Sequence, residues 1–336
     1  MKIAVASAIY KPTPPTGYGG IERVVSTLVE ELVRQGHEVT LFGTPGSYCS
    51  GTTIEVAGYD PSKAPSGITH KSDIISEEPL YRAMRDYFDS HPVDVIHDWS
   101  FQNLFVLRHR DAFPFVISSC IPVPAGFLRP NLVGASRAHA AHCGGTTRYV
   151  HFGLDLDKYD YSYTKKEDFV HIAKIARYKG QHLAVLAFRR AKQRLLIAGN
   201  IEDRLYFNAV LRPLLWVSRN ASYIGEIDGT NGLLREALAL VQTPRWLDTF
   251  PFVILEASAS ATPVISFRQG GIPEQIVHGV NGFLCDSVDD MAEAARNVRS
   301  IRPQDCRAYA EEHFSATRMA RDYLDLYARA ADGETW

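Results

Sequence analysis

Cysteine is scarce and scattered in this chain. The five present, Cys49, Cys120, Cys143, Cys285 and Cys306, are odd in number, and none forms a CxxC pair or shares metal-ligand spacing with a histidine. That excludes a disulfide scaffold and a zinc-ribbon type of site, and it reads as reduced thiols in a cytoplasmic protein. Long apolar runs are also missing. Nothing approaches the ~18 residues that span a bilayer, which leaves only peripheral contact with a lipid surface open. The opening MKIAVASAIY runs at once into Lys11 and a proline-rich turn, without the longer apolar region and cleavage site of a secretory signal. Neither sign of charge is in excess. A formal net charge of -2, with no basic arm, gives no electrostatic reason to expect nucleic acid. Absent too are a Walker loop, HExxH, GxGxxG and a Ser/His/Asp order, so hydrolytic, metal and dinucleotide chemistry have no positive support.

The 336 residues that remain to be explained are 46% hydrophobic and 22% charged, ordinary for a globular protein. That length is too great for one ordinary core, so two domains of roughly 150 residues are expected. Short apolar runs alternate with amphipathic stretches, the signature of βα units around parallel sheets. Strands are expected at 3–7, 39–43, 93–97, 115–119, 132–135 and 148–151, then at 169–172, 195–198, 221–224, 239–242, 264–267 and 283–285. The polar, tyrosine-rich 155–168 reads as a linker between the two series. Ile21, Val24, Val25, Leu28 and Leu32 share one helical face, closed by Gly36. A second helical face, Met319, Tyr323, Leu326 and Tyr327, lies in the tail 316–331. The expected division is 1–154, 155–315 and a terminal helix within 316–336 that crosses back to the first domain.

Four places carry candidate chemistry. Gly17, Gly19 and Gly20 lead into the first helix, a loop whose backbone N–H groups suit a phosphate or a developing negative charge. His97-Asp98 ends an apolar strand, where a lone histidine is more often structural than catalytic. Lys174 and Lys179 follow the strand 169–172, where two ammonium groups can neutralise a diphosphate. Asp248 and Glu256 bracket the apolar TFPFVIL, which is too short for an independent helix and is expected to be buried. The small residues 257–261 suit a helix packed closely on a sheet, with Pro263 breaking it and Gly270-Gly271 making a tight turn. By position alone, Glu256 is as well explained as a carboxylate at a helix start.

These residues together resemble a known family. YGGIERVV, DVIHDWS, HFGLDLDKY, IAKIARYKG, LLIAGN, YIGEI and DTFPFVILEASASATPVISFRQGGIPEQIVHGVNGFL, in that order, resemble the retaining glycosyltransferases of family 4. The resemblance implies the GT-B fold, an α/β architecture of two doubly wound Rossmann-like domains facing a central cleft. It implies sugar transfer from a UDP- or GDP-sugar to an acceptor hydroxyl with retention, without a metal or other cofactor. Lys174 and Lys179 would hold the donor diphosphate, Glu256 the ribose hydroxyls, and Ile227 the base through its backbone. Gly19 and Gly20 would approach the phosphates or the acceptor. Asp248 and His97 join the lysines as catalytic candidates, and the N–H groups of Phe252 and Val253 would face the donor. The first domain would choose a glycoside, natural-product or lipid-linked acceptor through 12–18, 49–76 and 121–130.

The chain departs from the family pattern at four positions. Asp248 stands for the usual glutamate, Pro251 for a glycine, Trp99 for a second histidine, and Lys174 for an arginine. Those departures keep two other readings in view, a sugar-nucleotide epimerase of the same fold and a nucleotide-sugar-binding protein without catalysis. A signal-bearing solute-binding protein and a dehydrogenase fit less well.

Overall fold

The computed structural model describes residues 1–17, 19–56, 76–122 and 129–336. Tyr18 and most of 49–76 and 121–130, expected to shape acceptor choice, lie outside the described residues. The chain divides into two units, Met1–Gly153 with Ala316–Trp336, and Leu154–Ser315.

The first unit is built on a seven-stranded sheet. Its strands are β1 (Lys2–Ala6), β2 (Glu38–Gly43), β3 (Thr52–Glu55), β4 (Val95–Asp98), β5 (Phe115–Ser118), β6 (Leu132–Gly134) and β7 (Arg148–Tyr149). They run parallel in the order β3-β2-β1-β4-β5-β6-β7. Helices α1 (Gly20–Arg34), α2 (Glu78–Phe88), α3 (Leu104–Arg108) and α4 (Arg137–Cys143) connect them. β1 reads KIAVA and is buried from its second residue on, as a central parallel strand covered on both faces must be. β3 lies in a stretch read from sequence as loop. Its TTIE is half exposed at the sheet edge, so it has no alternating apolar face to announce it.

α1 buries Val24, Val25, Leu28, Val29 and Leu32. It stops where Gly36 takes φ 85°. There Gly36 N–H donates to Val33 O and His37 N–H to Leu32 O, at 2.9 and 3.1 Å, the paired bonds of a glycine-closed helix end.

The second unit repeats the plan with six strands: β8 (Phe169–Ile172), β9 (Leu195–Ala198), β10 (Ala221–Gly225), β11 (Ala239–Gln242), β12 (Val264–Phe267) and β13 (Gly282–Cys285). Their order is β10-β9-β8-β11-β12-β13. Helices α5 (Gln181–Ala191), α6 (Arg204–Tyr206), α7 (Arg212–Ser218), α8 (Asn231–Glu236), α9 (Phe252–Ala259), α10 (Val288–Asn297) and α11 (Pro303–His313) flank the sheet. α6 and α7 are joined by a π-helical turn at Phe207–Leu211. One core, with Phe169, Phe188, Ile197 and Met291, lies on one side of the sheet. A second, with Val170, Leu240, Ile254 and Val264, lies on the other. The last helix, α12 (Ala316–Ala331), belongs to the first unit. There it buries Met319, Tyr323, Leu326 and Tyr327.

Both sheets have the doubly wound order in which the chain leaves its first strand in one direction and returns to place the fourth strand on its other side. The crevice that this reversal opens at the carboxyl ends of the first and fourth strands is where such sheets bind ligands. In the second unit those strands are β8 and β11, and in the first β1 and β4.

Candidate active site

The loops leaving β8 and β11 converge on a cluster of alternating charge. β8 runs into the loop 173–180, which hydrogen bonds stitch to the turn after β9: Ala173 N–H to Ala198 O, Ile175 N–H to Asn200 O and Glu202 N–H to Ile175 O, at 3.1, 2.8 and 3.2 Å. Gly199 makes this approach possible, because a Cβ there would lie 2.0 Å from Ala173 O. The stitching sets Glu202 beside the loop. Lys174 Nζ lies 2.6 Å from Glu202 Oε2, and the Tyr178 hydroxyl donates to Oε1 at 2.7 Å. Sequence reading did not single out Glu202 or Tyr178; the signal available was an acid just past the carboxyl end of a buried strand.

Lys179 is held from the β11 side. Thr243 Oγ1 donates toward the carbonyls of Lys179 and Gly180, at 3.1 and 2.9 Å. With its proton so used, the hydroxyl accepts from His171 Nε2 at 3.2 Å. Burial, and then the Lys179 charge, drive the His171 pKa down to about 3. The ring is therefore neutral beside the lysine. Lys179 Nζ reaches Asp248 Oδ2 at 2.5 Å, both side chains mostly buried. It also stands 5.2 Å from the Trp246 ring, which packs on Tyr178 with centroids 4.8 Å apart. A cation facing an indole and a carboxylate together is fixed in direction as well as charge.

Asp248 is placed by its backbone. Gly271 N–H donates to Asp248 O at 2.8 Å. Gly270, at φ 54°, could not carry a Cβ, which would meet that same oxygen at 2.1 Å. The Gly-Gly turn is thus the cradle of Asp248.

α9 begins at Phe252, so the second half of the TFPFVIL run is helix after all; burial against α8, α11 and the sheet supplies what its length lacks. Pro251 precedes it with no side-chain cap, so the N–H groups of Phe252 and Val253, both half-buried, face the start of the helix without an intrahelical acceptor. The helix ends on Ala261 at φ 59°, with Thr262 N–H to Ala257 O and Ala261 N–H to Ser258 O at 2.8 and 3.0 Å. That left-handed turn, rather than Pro263, stops it.

Glu256 is a buried residue in the second turn of α9 and not a helix-start carboxylate. The Tyr159 hydroxyl donates to its Oε1 at 3.2 Å. Tyr159 comes from the segment read as linker, which packs on the second unit: Lys165 Nζ donates to Arg235 O, Ser260 O and Thr262 Oγ1. Ile227 follows β10 and packs, half-buried, against the core that holds Ile254 and Leu240. The second unit therefore gathers Lys174, Lys179 and Asp248 at its switch point and sets Phe252, Val253 and Glu256 along the adjoining helix.

In the first unit the histidine, but not the glycine loop, departs from expectation. A Cβ on Gly19 would lie 2.7 Å from Pro15 Cβ and 2.9 Å from Glu22 Oε2, so its own loop requires that glycine. Gly20, the first residue of α1, has open space on its Cβ side. His97 is not available for catalysis. It is fully buried, with Nδ1 2.6 Å from the Tyr327 hydroxyl and Nε2 2.8 Å from Ser118 Oγ. Ser118 in turn meets the Tyr323 hydroxyl at 2.9 Å. Burial holds the ring pKa well below its ordinary value. The histidine fastens α12 to β4 and β5, and with both nitrogens engaged it has none to offer a substrate. Trp99 packs beside it, ring centroids 4.8 Å apart.

All five cysteines are free. Among the described residues no group of three or more His, Cys, Asp or Glu is placed to hold a metal, and no helix is long and apolar enough to cross a membrane.

Two family models match the chain: "Glycosyl transferases group 1" over residues 158–312 and "Glycosyltransferase Family 4" over residues 18–120. A curated relative, N-acetyl-alpha-D-glucosaminyl L-malate synthase of Bacillus anthracis, is 26% identical over 196 residues, 53% of this chain and 50% of the relative. The chain thus matches about half the length of that relative. AviGT4, a glycosyltransferase involved in avilamycin A biosynthesis, superposes with a TM-score of 0.79 at 24% identity, over 100% of this chain and 99% of its own. An Anabaena protein solved in complex with UDP-glucose superposes with a TM-score of 0.72 at 16% identity, over 98% of this chain and 99% of its own. These likenesses establish the fold as GT-B.

Proposed function

This chain belongs to the family 4 type of GT-B glycosyltransferases, and we propose that it moves a sugar from a nucleoside diphosphate sugar to an acceptor hydroxyl, with retention at the anomeric carbon and without a metal. The observation that carries this reading is the placement of Lys174 and Lys179 at the switch point of the second unit, next to the uncapped start of α9. Two ammonium groups and two helix N–H groups form a preorganised receptor for a diphosphate, and they stabilise it most as it departs and gains charge. Each lysine already has a carboxylate neighbour, so an incoming diphosphate would share or replace Glu202 and Asp248 as the partner.

In this reading Glu256, oriented by Tyr159, accepts the ribose hydroxyls, and Asp248 faces the donor sugar. The base lies along the backbone near Ile227. The leaving phosphate takes the acceptor proton on the same face of the sugar, so the reaction needs no side-chain base. Acceptor choice belongs to the first unit, and a glycoside, a natural product or a lipid-linked sugar would suit it. UDP is the first nucleotide to try, given the Anabaena protein's complex with UDP-glucose.

The test is incubation with UDP- and GDP-hexoses and an acceptor panel in the presence of EDTA, with the anomeric configuration of the product read by NMR. Transfer with a retained anomer supports the proposal. Conversion of donor to an epimer without acceptor would instead favour the epimerase reading, and no turnover with intact nucleotide binding would favour a binding protein.

A further inference from the structure

The segment from α6 to α7 buries one side and leaves the other without a protein partner. Tyr206, Phe207, Val210, Leu211, Leu214 and Leu215 pack into the second unit's core. On the other side Leu205 is 74%, Trp216 84% and Val217 57% exposed, with Ala209 and Pro213 exposed between them. Exposed apolar side chains grouped in this way mark a surface that something covers.

The exposed charge along this face is mostly basic. Arg204, Arg212 and Arg219 are exposed along it, and residues 204–219 contain no Asp or Glu. The elements packed against the segment, α5 and β10, contain none either. Asn220 Nδ2 donates to Gln193 O at 2.7 Å, which ties the end of α7 to the turn carrying exposed Lys192. Of the acids just before it, Glu202 is paired with Lys174 and bonded by Tyr178, which leaves Asp203, the cap of α6 that accepts from Tyr206 N–H at 2.9 Å, as one negative charge against three arginines and Lys192.

We infer that this face, Leu205, Trp216 and Val217 ringed by Arg204, Arg212, Arg219 and Lys192, docks the protein on an anionic lipid bilayer. An indole with adjacent aliphatic groups seats at the boundary between headgroups and acyl chains. The arginines extend their charged ends to anionic headgroups while their stems lie along the apolar strip. A second copy of the chain is a poorer occupant, because a two-fold contact through this face sets the three arginines against themselves. A nucleic acid would use the arginines and leave Leu205 and Val217 unused.

The test uses the full chain in co-sedimentation with phosphatidylcholine vesicles, with and without phosphatidylglycerol. Binding is expected only to the phosphatidylglycerol vesicles, weakening as salt is raised. It should fall about tenfold in Trp216→Ser and again in Arg212→Glu, as expected for one lost insertion or one lost charge contact. Both residues are exposed, so the thermal unfolding midpoint of each variant should match the parent and exclude misfolding as the cause. Failure to bind phosphatidylglycerol vesicles, or binding indifferent to both substitutions, overturns the inference. So does a dimer that Trp216→Ser dissociates without vesicles, or an oligonucleotide retained through Arg212 while vesicles are ignored.

Discussion

Lys179 Nζ and Asp248 Oδ2 stand 2.5 Å apart across the gap between the loops that leave β8 and β11. The two residues are 69 positions apart in sequence. Doubly wound topology brings them together, since β8 and β11 are neighbours in the sheet although two strands intervene in the chain. Removing either partner strands a mostly buried charge. Lys179→Met and Asp248→Leu are each expected to cost up to about 3 kcal/mol of stability, near the low end for a fully buried pair, and the double variant should recover most of that loss. Urea unfolding followed by circular dichroism measures it; additive losses in the double variant would contradict the coupling.

The Gly-Gly turn is predicted to matter through Asp248 rather than through its own flexibility. Gly270→Ala introduces a methyl against Asp248 O and holds a left-handed backbone, and a cost of at least about 2 kcal/mol follows. Gly20→Ala, with open space around it, is expected to leave stability within about 0.5 kcal/mol of the parent, as for an ordinary surface change. Thermal unfolding of both variants separates a required glycine from a permissive one.

Much of this arrangement was legible in the sequence, and the reasons are local. Strands such as 3–6 and 195–198 are continuous apolar runs, and the face of α1 repeats at helical spacing, so burial writes them directly into residue order. β3 was missed because an edge strand with a half-exposed TTIE has no such signature. α9 was half missed because it is apolar on every side, and only its packing distinguishes helix from strand in so short a run. Lys174 and Lys179 could be named from a strand end, and Asp248 from the apolar run it brackets with Glu256. Their partners Glu202 and Trp246 could not, nor could Tyr159 beside Glu256, since these meet through tertiary contacts that carry no sequence period. His97 was misjudged for the same reason: its hydroxyl partners come from β5 and α12, far along the chain.

Stability is expected to fall as pH falls through the histidine range. His97, His139 and His171 are buried and neutral, His97 well below its ordinary pKa, His139 at about 4 and His171 at about 3, burial being the main cause in each. The unfolded rings titrate near about 6.5, so below that the unfolded chain binds three protons that the folded chain does not. Glu77 opposes them, because burial raises its carboxyl from 4.5 to about 7 and the folded chain then holds one proton more. For these four groups three less one leaves two protons, a slope of about 2.7 kcal/mol per pH unit between about pH 6.5 and 4.5, and His37 and His182, also lowered mainly by burial, steepen it. Asp98, also raised by burial, reduces the slope toward the acid end. Urea midpoints at pH 7 and pH 5 test this, and His97→Gln should lessen the slope by about 1.4 kcal/mol per unit. Equal midpoints at the two pH values would count against buried neutral rings.

Tyr159→Phe is expected to raise the donor KM several-fold with little change in kcat, because it removes one hydrogen bond from Glu256 without touching the lysines. A fall in kcat alone would place Glu256 in the chemical step rather than in donor binding. Glu256→Gln in the same assay provides the reference for the whole carboxylate.

The central claim is that the second unit holds a nucleoside diphosphate through Lys179 and Glu256, and calorimetric titration with UDP, GDP, ADP and TDP tests it most directly. The account predicts saturable binding of UDP or GDP in the parent that is lost, by a factor of about 100 or more, in Lys179→Ala and in Glu256→Ala, as expected when a charge-assisted partner is removed. Binding of equal strength in the parent and both variants, or of none of the four nucleotides by the parent, would contradict it.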